Sequence, residues 1–535
     1  MNSMIYNPLE EFETKFKDLH LENTKKYLEN LVEQSGVNVE ENGKTVKAYN
    51  DQNDRLAKIR KRLKWLKFFR VLMIITLILI PLVILKTTPK IKALKSELEE
   101  GGKKAAEFLA LAESQMAPLN ALFTDRDAIK IVETTIPSLS FEDTLSTDQE
   151  ANMIVNFDFG DLDNAEESTV DILAGNYNDN PFLFEEKYVH RMGLEIYHGY
   201  KMISWTETYR DRDGKIHTRT RSETLHATVT KPKPFYSTQI VLNYCAQGGP
   251  DLSFSRDATH LERKSEKEID RYVKKGEKKL KKMTDKALDQ NRDFVSMSNS
   301  DFEVLFDALD RTDEVQFRTL FTPLAQTNIV DLIRSQNGYG DDFNFIKQKR
   351  TNKILSQHSQ GRAVTIYPSA YRSYSFETAC NMFLEKNAGY FKAVYFDFAP
   401  LWSIPMYQER PVHSLKPIPE YTQKYSFKEC EALANRLVKG LVVHPASKTP
   451  AIIKSSFVDS KNGVDEVSVT AYSYDTCPRV DFIPVLGGDG RWHNVPVPWD
   501  EYIPLEASNN FFVSTSALAT NNSVIAKRND LCIFN

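Results

Sequence analysis

The chain has 535 residues, room for roughly three to four domains of about 150 residues each. Its 41% apolar and 27% charged residues are ordinary globular proportions, which exclude global disorder, a collagen-like chain and a polytopic membrane protein. A net charge of −4 gives no reason to expect a nucleic-acid partner, and five widely spaced cysteines exclude a disulfide scaffold.

Residues 1–66 read as an N-terminal helical arm. Asn7-Pro8 is a helix start, and Phe12, Phe16, Leu19, Tyr27, Leu28, Leu31 and Val32 recur at helical spacing. The run from Val71 to Leu85 then carries five Leu, five Ile and two Val with no charge. At 1.5 Å per residue it spans about 22 Å, short of the roughly 30 Å hydrocarbon layer, so the transmembrane helix is extended to 67–88. Trp65, Phe68, Phe69, Arg70 and Lys86 would sit at the membrane interface, the aromatics in the belt and the basic side chains snorkelling. Seven basic residues before the run against four after it place the N-terminus in the cytoplasm. The expected localisation is a single-pass protein of the cell membrane.

A juxtamembrane helix follows at 89–125, interrupted by Gly101-Gly102. Residues 126–180 read as an acidic linker: between 131 and 186 there are fourteen Asp or Glu and no Lys or Arg. The stretch from Asp158 to Glu167 fails the calcium-loop pattern, because with Asp161 as position one the fifth and sixth positions are Ala165 and Glu166. A β-rich domain covers 181–257, with a hairpin turn at Asp213-Gly214. Period two puts Lys215, His217, Arg219 and Arg221 on one face of its outgoing strand. That strip either binds a phosphate-bearing anion or is a solvated face that keeps an edge strand from mispairing.

Residues 258–299 form a charged helix whose apolar positions fit a short coiled-coil seam, broken by Gly276. Residues 300–360 read as a helical pair and a strand, opened by a capping box at Ser300 and Glu303. The run 300–333 contains Phe302, Glu303, Phe306, Asp313, Thr322, Pro323 and Leu332. It resembles the F-E-x-x-F and L-T-P signature of an uncharacterised family of bacterial membrane proteins, with Phe321 in place of the leucine. The resemblance implies a membrane-tethered bacterial protein and no catalytic residues.

Residues 361–535 read as a C-terminal mixed α/β domain. The aromatic stretch 393–405 is expected to be a buried strand, and 479–499 a hairpin with a four-residue turn at 487–490. Pro496 and Pro498 confine the second of those strands to an edge. The fold class expected is therefore α+β: a single transmembrane helix with flanking helices, a β-rich domain with an inserted long charged helix, and a C-terminal mixed α/β domain.

No nucleotide-binding P-loop, G-x-G-x-x-G, H-E-x-x-H, C-x-x-C or G-x-S-x-G is present. No catalytic residue, metal ligand or cofactor is assigned. Cys477, His493 and Asp500 have the residue types of a nucleophile–base–orienter set. In a hairpin centred on residues 488–489, Cys477 lies opposite Asp500 and His493 opposite Pro484, which sets Cys477 about 23 Å from the His493 level. The sequence favours a non-catalytic binding or scaffold protein over a membrane-tethered enzyme such as a hydrolase, for which Asp481, His493, Asp500 and Glu501 are the first residues to test. The expected partners are the lipid bilayer and an unidentified protein or envelope polymer, with no clear nucleic acid; a homo-oligomer is a further option.

Overall fold

The computed structural model describes residues 4–75, 80–160, 166–289, 297–336, 338–411, 416–436, 439–515, 524–528 and 531–534. The chain divides into two compact units. One comprises Asn7–Leu139 and Thr365–Phe396, the other Met1–Tyr6, Ser140–Val364 and Asp397–Asn535.

The first unit is helical. Asn7 caps the helix Pro8–Glu11, its side chain accepting from the Glu10 N–H, and Gly36 ends the helix Lys17–Ser35 in the left-handed region at φ +63°. The helices Val39–Ile75 and Ile80–Leu122 pack side by side. Gly101 does not interrupt the second of them. A Cβ there would stand 2.7 Å from Leu56 Cδ2, so the glycine lets the helices close, and Gln52 Nε2 donates to the Gly101 carbonyl. Leu28, Leu31, Met116, Leu119, Phe123, Ile131, Tyr371, Ala379 and Phe383 form the core of the unit.

This pairing corrects the single transmembrane helix, and with it the single-pass membrane localisation and the cytoplasmic N-terminus. The first helix holds only Val71–Ile75 of the apolar run and the second only 80–85; residues 76–79 lie outside the described residues. Among the described residues no helix is long and apolar enough to cross a membrane. Of the expected interfacial side chains, Trp65 and Phe69 are exposed and stack on each other at 5.3 Å, and Phe68 is exposed on the same helix, which also carries Arg70. The Lys86 side chain lies outside the described residues.

The second unit is built on two sheets. The larger has the order β1-β2-β3-β4-β7-β6-β5, from β1 (Leu139–Phe141), β2 (Glu167–Tyr177), β3 (Asn180–Arg210), β4 (Ile216–Cys245), β5 (Ser253–Arg256), β6 (Phe343–Gln348) and β7 (Thr351–Ser356). The smaller has the order β11-β12-β10-β9-β8, from β8 (Ile452–Lys461), β9 (Val464–Leu486), β10 (Trp492–Thr515), β11 (Val524–Arg528) and β12 (Leu531–Phe534). The helix Phe427–Asn435 seals the smaller sheet, burying Cys430, Leu433 and Ala434 against Val467, Val469, Phe511, Val513 and Ile533.

Several expectations change here. The acidic linker is folded: it holds the helix Thr147–Phe157, β2 and the start of β3. Carboxylates of the acidic stretch 131–186 are answered by cations remote in the chain, Glu185 by Lys428 at 2.7 Å, Asp171 by Arg436 at 3.5 Å and Asp158 by Arg350 at 2.8 Å. Residues 161–165 of the rejected calcium loop lie outside the described residues. The stretch 393–402 belongs to the helix Phe376–Trp402, not to a strand; apolar all round except for Asp397, which Arg362 and His358 pair, it is buried as a helix.

The charged helix Glu266–Asp289 packs within the chain on the helix Ser300–Phe306. A Cβ at Gly276 would lie 2.3 Å from Val304 Cγ1, so the seam glycine marks their closest approach. The cap of the shorter helix is Asn299, whose side chain accepts from the Phe302 N–H, while Ser300 donates to Glu277. In the signature-like run, Asp313 and Thr322 each cap a helix and Pro323 takes a first-turn position. Phe302, Phe306 and Phe317 ring Phe321 at 4.6 to 5.1 Å. Each of these residues therefore has a structural role. The separate C-terminal domain is also corrected, because residues 365–396 join the helical unit and 397–535 the β unit.

Candidate functional site

Two hairpins run far past the sheets that root them. Strand β3 pairs β2 only through Val189, and β4 pairs β7 only from Leu242, yet β3 and β4 stay in register out to Arg210↔Ile216. Thirty-one residues at about 3.3 Å each make β3 roughly 100 Å long. The turn is the expected one, with Gly214 at φ +80°. Strands β9 and β10 extend likewise beyond their pairings with β8 and β12.

The outer parts of the two hairpins pack face to face as a two-layer arm. Ile203, Leu225, Ala227, Val495 and Val497 are buried between them, flanked by Tyr197, Trp205, Val229, Ile483 and Val485. Four of these, Ile203, Leu225, Val495 and Val497, contribute roughly 1.5–3 kcal/mol apiece. Gly199 sets the spacing: a Cβ there would lie 2.1 Å from the Pro496 carbonyl oxygen. Lys201 Nζ donates to the Asn494 carbonyl, Glu223 accepts from the Gly488 N–H, and Lys231 meets Asp481 at 2.7 Å.

Alternation then sends the intervening side chains outward. On β3 these include Leu194, Ile196, Tyr200 and Met202, each 56–77% exposed. On the second hairpin they include Val480, Phe482, Leu486 and Trp492, each 50–70% exposed. Within the first strip, His198 Nδ1 lies 3.0 Å from His226 Nε2, and Tyr200 stacks on His226 at 4.9 Å. Soluble proteins rarely leave such contiguous apolar strips uncovered. The sequence held the signal, since Met192 to Met202 alternates apolar and polar residues, but one chain alone does not say which face is covered.

The basic strip lies nearer the tip. On β4, His217, Arg219 and Arg221 take alternate positions, whereas Lys215 lies in the turn before the strand, and acids are interleaved with them. Glu207 takes Arg221 at 2.6 Å and Arg219 at 3.9 Å. His217 lies 2.7 Å from Asp211, whose carboxyl its hydrogen bond holds below the usual range. Asp211 also accepts from the Lys215 N–H. The enzyme candidates do not converge. Cys477 stands opposite Glu501 and His493 opposite Val485, one residue off the expected register and about 26 Å apart along the strand. His493 bonds Asp489 at 3.0 Å, Asp481 takes Lys231 and Trp499, and Glu501 takes Arg479. Burial pushes the Cys245 and Cys430 thiols well up and Cys380 to about 11, which suits packing rather than nucleophilic attack.

Where β3 and β4 leave the sheet, a cleft of about 390 Å³ opens against β9 and β10. His190, Tyr236, Tyr472, Ser473, Tyr474, Glu166 and Glu506 line it, with Ile452, Pro504 and Leu505. The His190 ring packs 5.3 Å from Tyr236 and 5.6 Å from Tyr474, and the Tyr236 hydroxyl donates to Thr449. His190 Nε2 and Ser473 Oγ are buried here without a hydrogen-bond partner. Leaving such groups unpaired costs about 1–3 kcal/mol each. The cleft has no local sequence signal, because its residues come from six separated segments. Among the described residues, no group of three or more His, Cys, Asp or Glu is placed to hold a metal ion.

Comparison with protein families, curated proteins and solved structures finds no match for this chain.

Proposed function

We propose that this is a non-catalytic binding protein whose β arm docks a protein partner along its apolar outer faces. The observation that supports the reading is the strip Leu194, Ile196, Tyr200 and Met202, exposed on an arm whose inner face is already filled by its own second hairpin. The packed inner layer makes the arm stiff, and a stiff apolar surface loses little entropy when it docks. The aromatic and methionine content matches the cores of protein interfaces.

Photo-crosslinking in cells tests this directly. A benzophenone amino acid at Tyr200, and in a second chain at Phe482, should give a discrete protein adduct. The same group at exposed Val315, on the helix Glu314–Leu320 away from the arm, should give none. Absence of any adduct from both arm positions removes the proposal.

A further inference from the structure

We propose that the cleft at the root of the arm binds a small organic ammonium ion. The inference is independent of the docking of the arm's outer faces.

Three features converge on that ligand class. The Glu506 carboxylate lines the cleft, and no Lys or Arg is among its lining residues. A cation is therefore drawn in and an anion repelled. Aromatic rings form its wall: Tyr236 and Tyr474 flank the His190 ring at 5.3 and 5.6 Å, and their faces attract a cation through the ring quadrupole. Finally, His190 Nε2 and Ser473 Oγ are buried and unpartnered, in residues only 8% and 2% exposed. An ammonium N–H can donate to both, supplying the hydrogen bonds that the fold leaves unmade. A neutral polyol would use the rings and the two polar atoms but gain little from the Glu506 carboxylate. The volume, about 390 Å³, suits a small molecule and lies within the range of ligand pockets.

The matched probes are benzylamine, a cation at neutral pH, and benzyl alcohol, its neutral analogue, titrated calorimetrically into the full chain. Benzylamine should give saturable heat and benzyl alcohol none at the same concentrations. Glu506 is exposed, so Glu506→Gln leaves the core untouched and should weaken benzylamine binding tenfold or more. Ser473→Ala should also weaken binding while leaving the unfolding temperature of the free protein unchanged or higher, because it deletes a hydroxyl with no partner there; a purely structural serine would lower that temperature and leave affinity alone. No saturable heat with benzylamine, equal binding of benzyl alcohol, or unchanged affinity in Glu506→Gln would each overturn the assignment.

Discussion

Burial in the helix Thr147–Phe157 pushes the Glu150 carboxyl up to about 8, and the Lys428 ammonium offsets only part of that. Burial acts the same way on Glu185, but there Lys428 and Lys187 outweigh it and hold the carboxyl down at about 2. Two acids thus share one lysine, and only one of them carries its charge at neutral pH. For Glu150 the folded value lies above the unfolded one, so stability falls as pH rises from about 4.5 to about 8 and is flat beyond. Glu150→Gln should therefore be the more stable protein at pH 8, by roughly 4 kcal/mol, and no better than the parent at pH 4. Urea unfolding at the two pH values checks this; equal midpoints at pH 8 would contradict it. His358 gives the opposite slope. Burial opposes its charge, but Asp342 at 2.6 Å and Asp397 at 3.4 Å raise it to about 9. Its contribution is complete below about 6.5 and lost as pH rises through about 9. His358→Gln should lose more stability at pH 6 than at pH 10, and a loss independent of pH would show that the ion pairs contribute nothing.

At the scale of elements, the arm depends on one contact that side chains cannot supply. Gly199→Val would drive a branched side chain into the Pro496 carbonyl, forcing the hairpins apart at the middle of their shared face. The expected result is rapid amide exchange in 197–205 and 483–497, with the sheets at the root still protected; protection equal to that of the parent would show that the layers slide without cost. Both hairpins were legible in the sequence because Asp213-Gly214 and the Gly487–Gly490 cluster are strong turn signals. The register of the second was not. Its loop closes from Gly487 N–H to the Arg491 carbonyl, with Asp489 accepting from the Arg491 N–H and bonding His493, which moves every pair by one residue. The alternation of His217, Arg219 and Arg221 is visible in the sequence, since period two needs only the strand, but that Lys215 falls in the turn before β4 is not. The strip's pairing with Glu207 and Asp211 is also local and was within reach. The root cleft was not, because His190, Tyr236, Ser473 and Glu506 meet only through tertiary packing.

At the scale of the molecule, the apolar run misled because composition reads a span without knowing where the chain reverses. Helices on either side of it pack on each other, with Gly101 against Leu56 as the close contact, and divide the run between two helix ends. The acidic stretch misled for a related reason: local charge says nothing of Lys428 or Arg436, which arrive from far along the chain. The same long reach governs how the β unit is completed. Its first segment, Met1–Tyr6, is separated from the rest by the whole first part of the helical unit. The Ile5 N–H donates to Gln408 Oε1, and Gln408 Nε2 donates back to the Ile5 carbonyl, across 403 positions. At about 5–20 residues per second, a ribosome needs roughly 20 to 80 seconds to supply that partner. The Ile5 segment must therefore wait through that interval before the paired hydrogen bonds that tether it to the Gln408 amide can close.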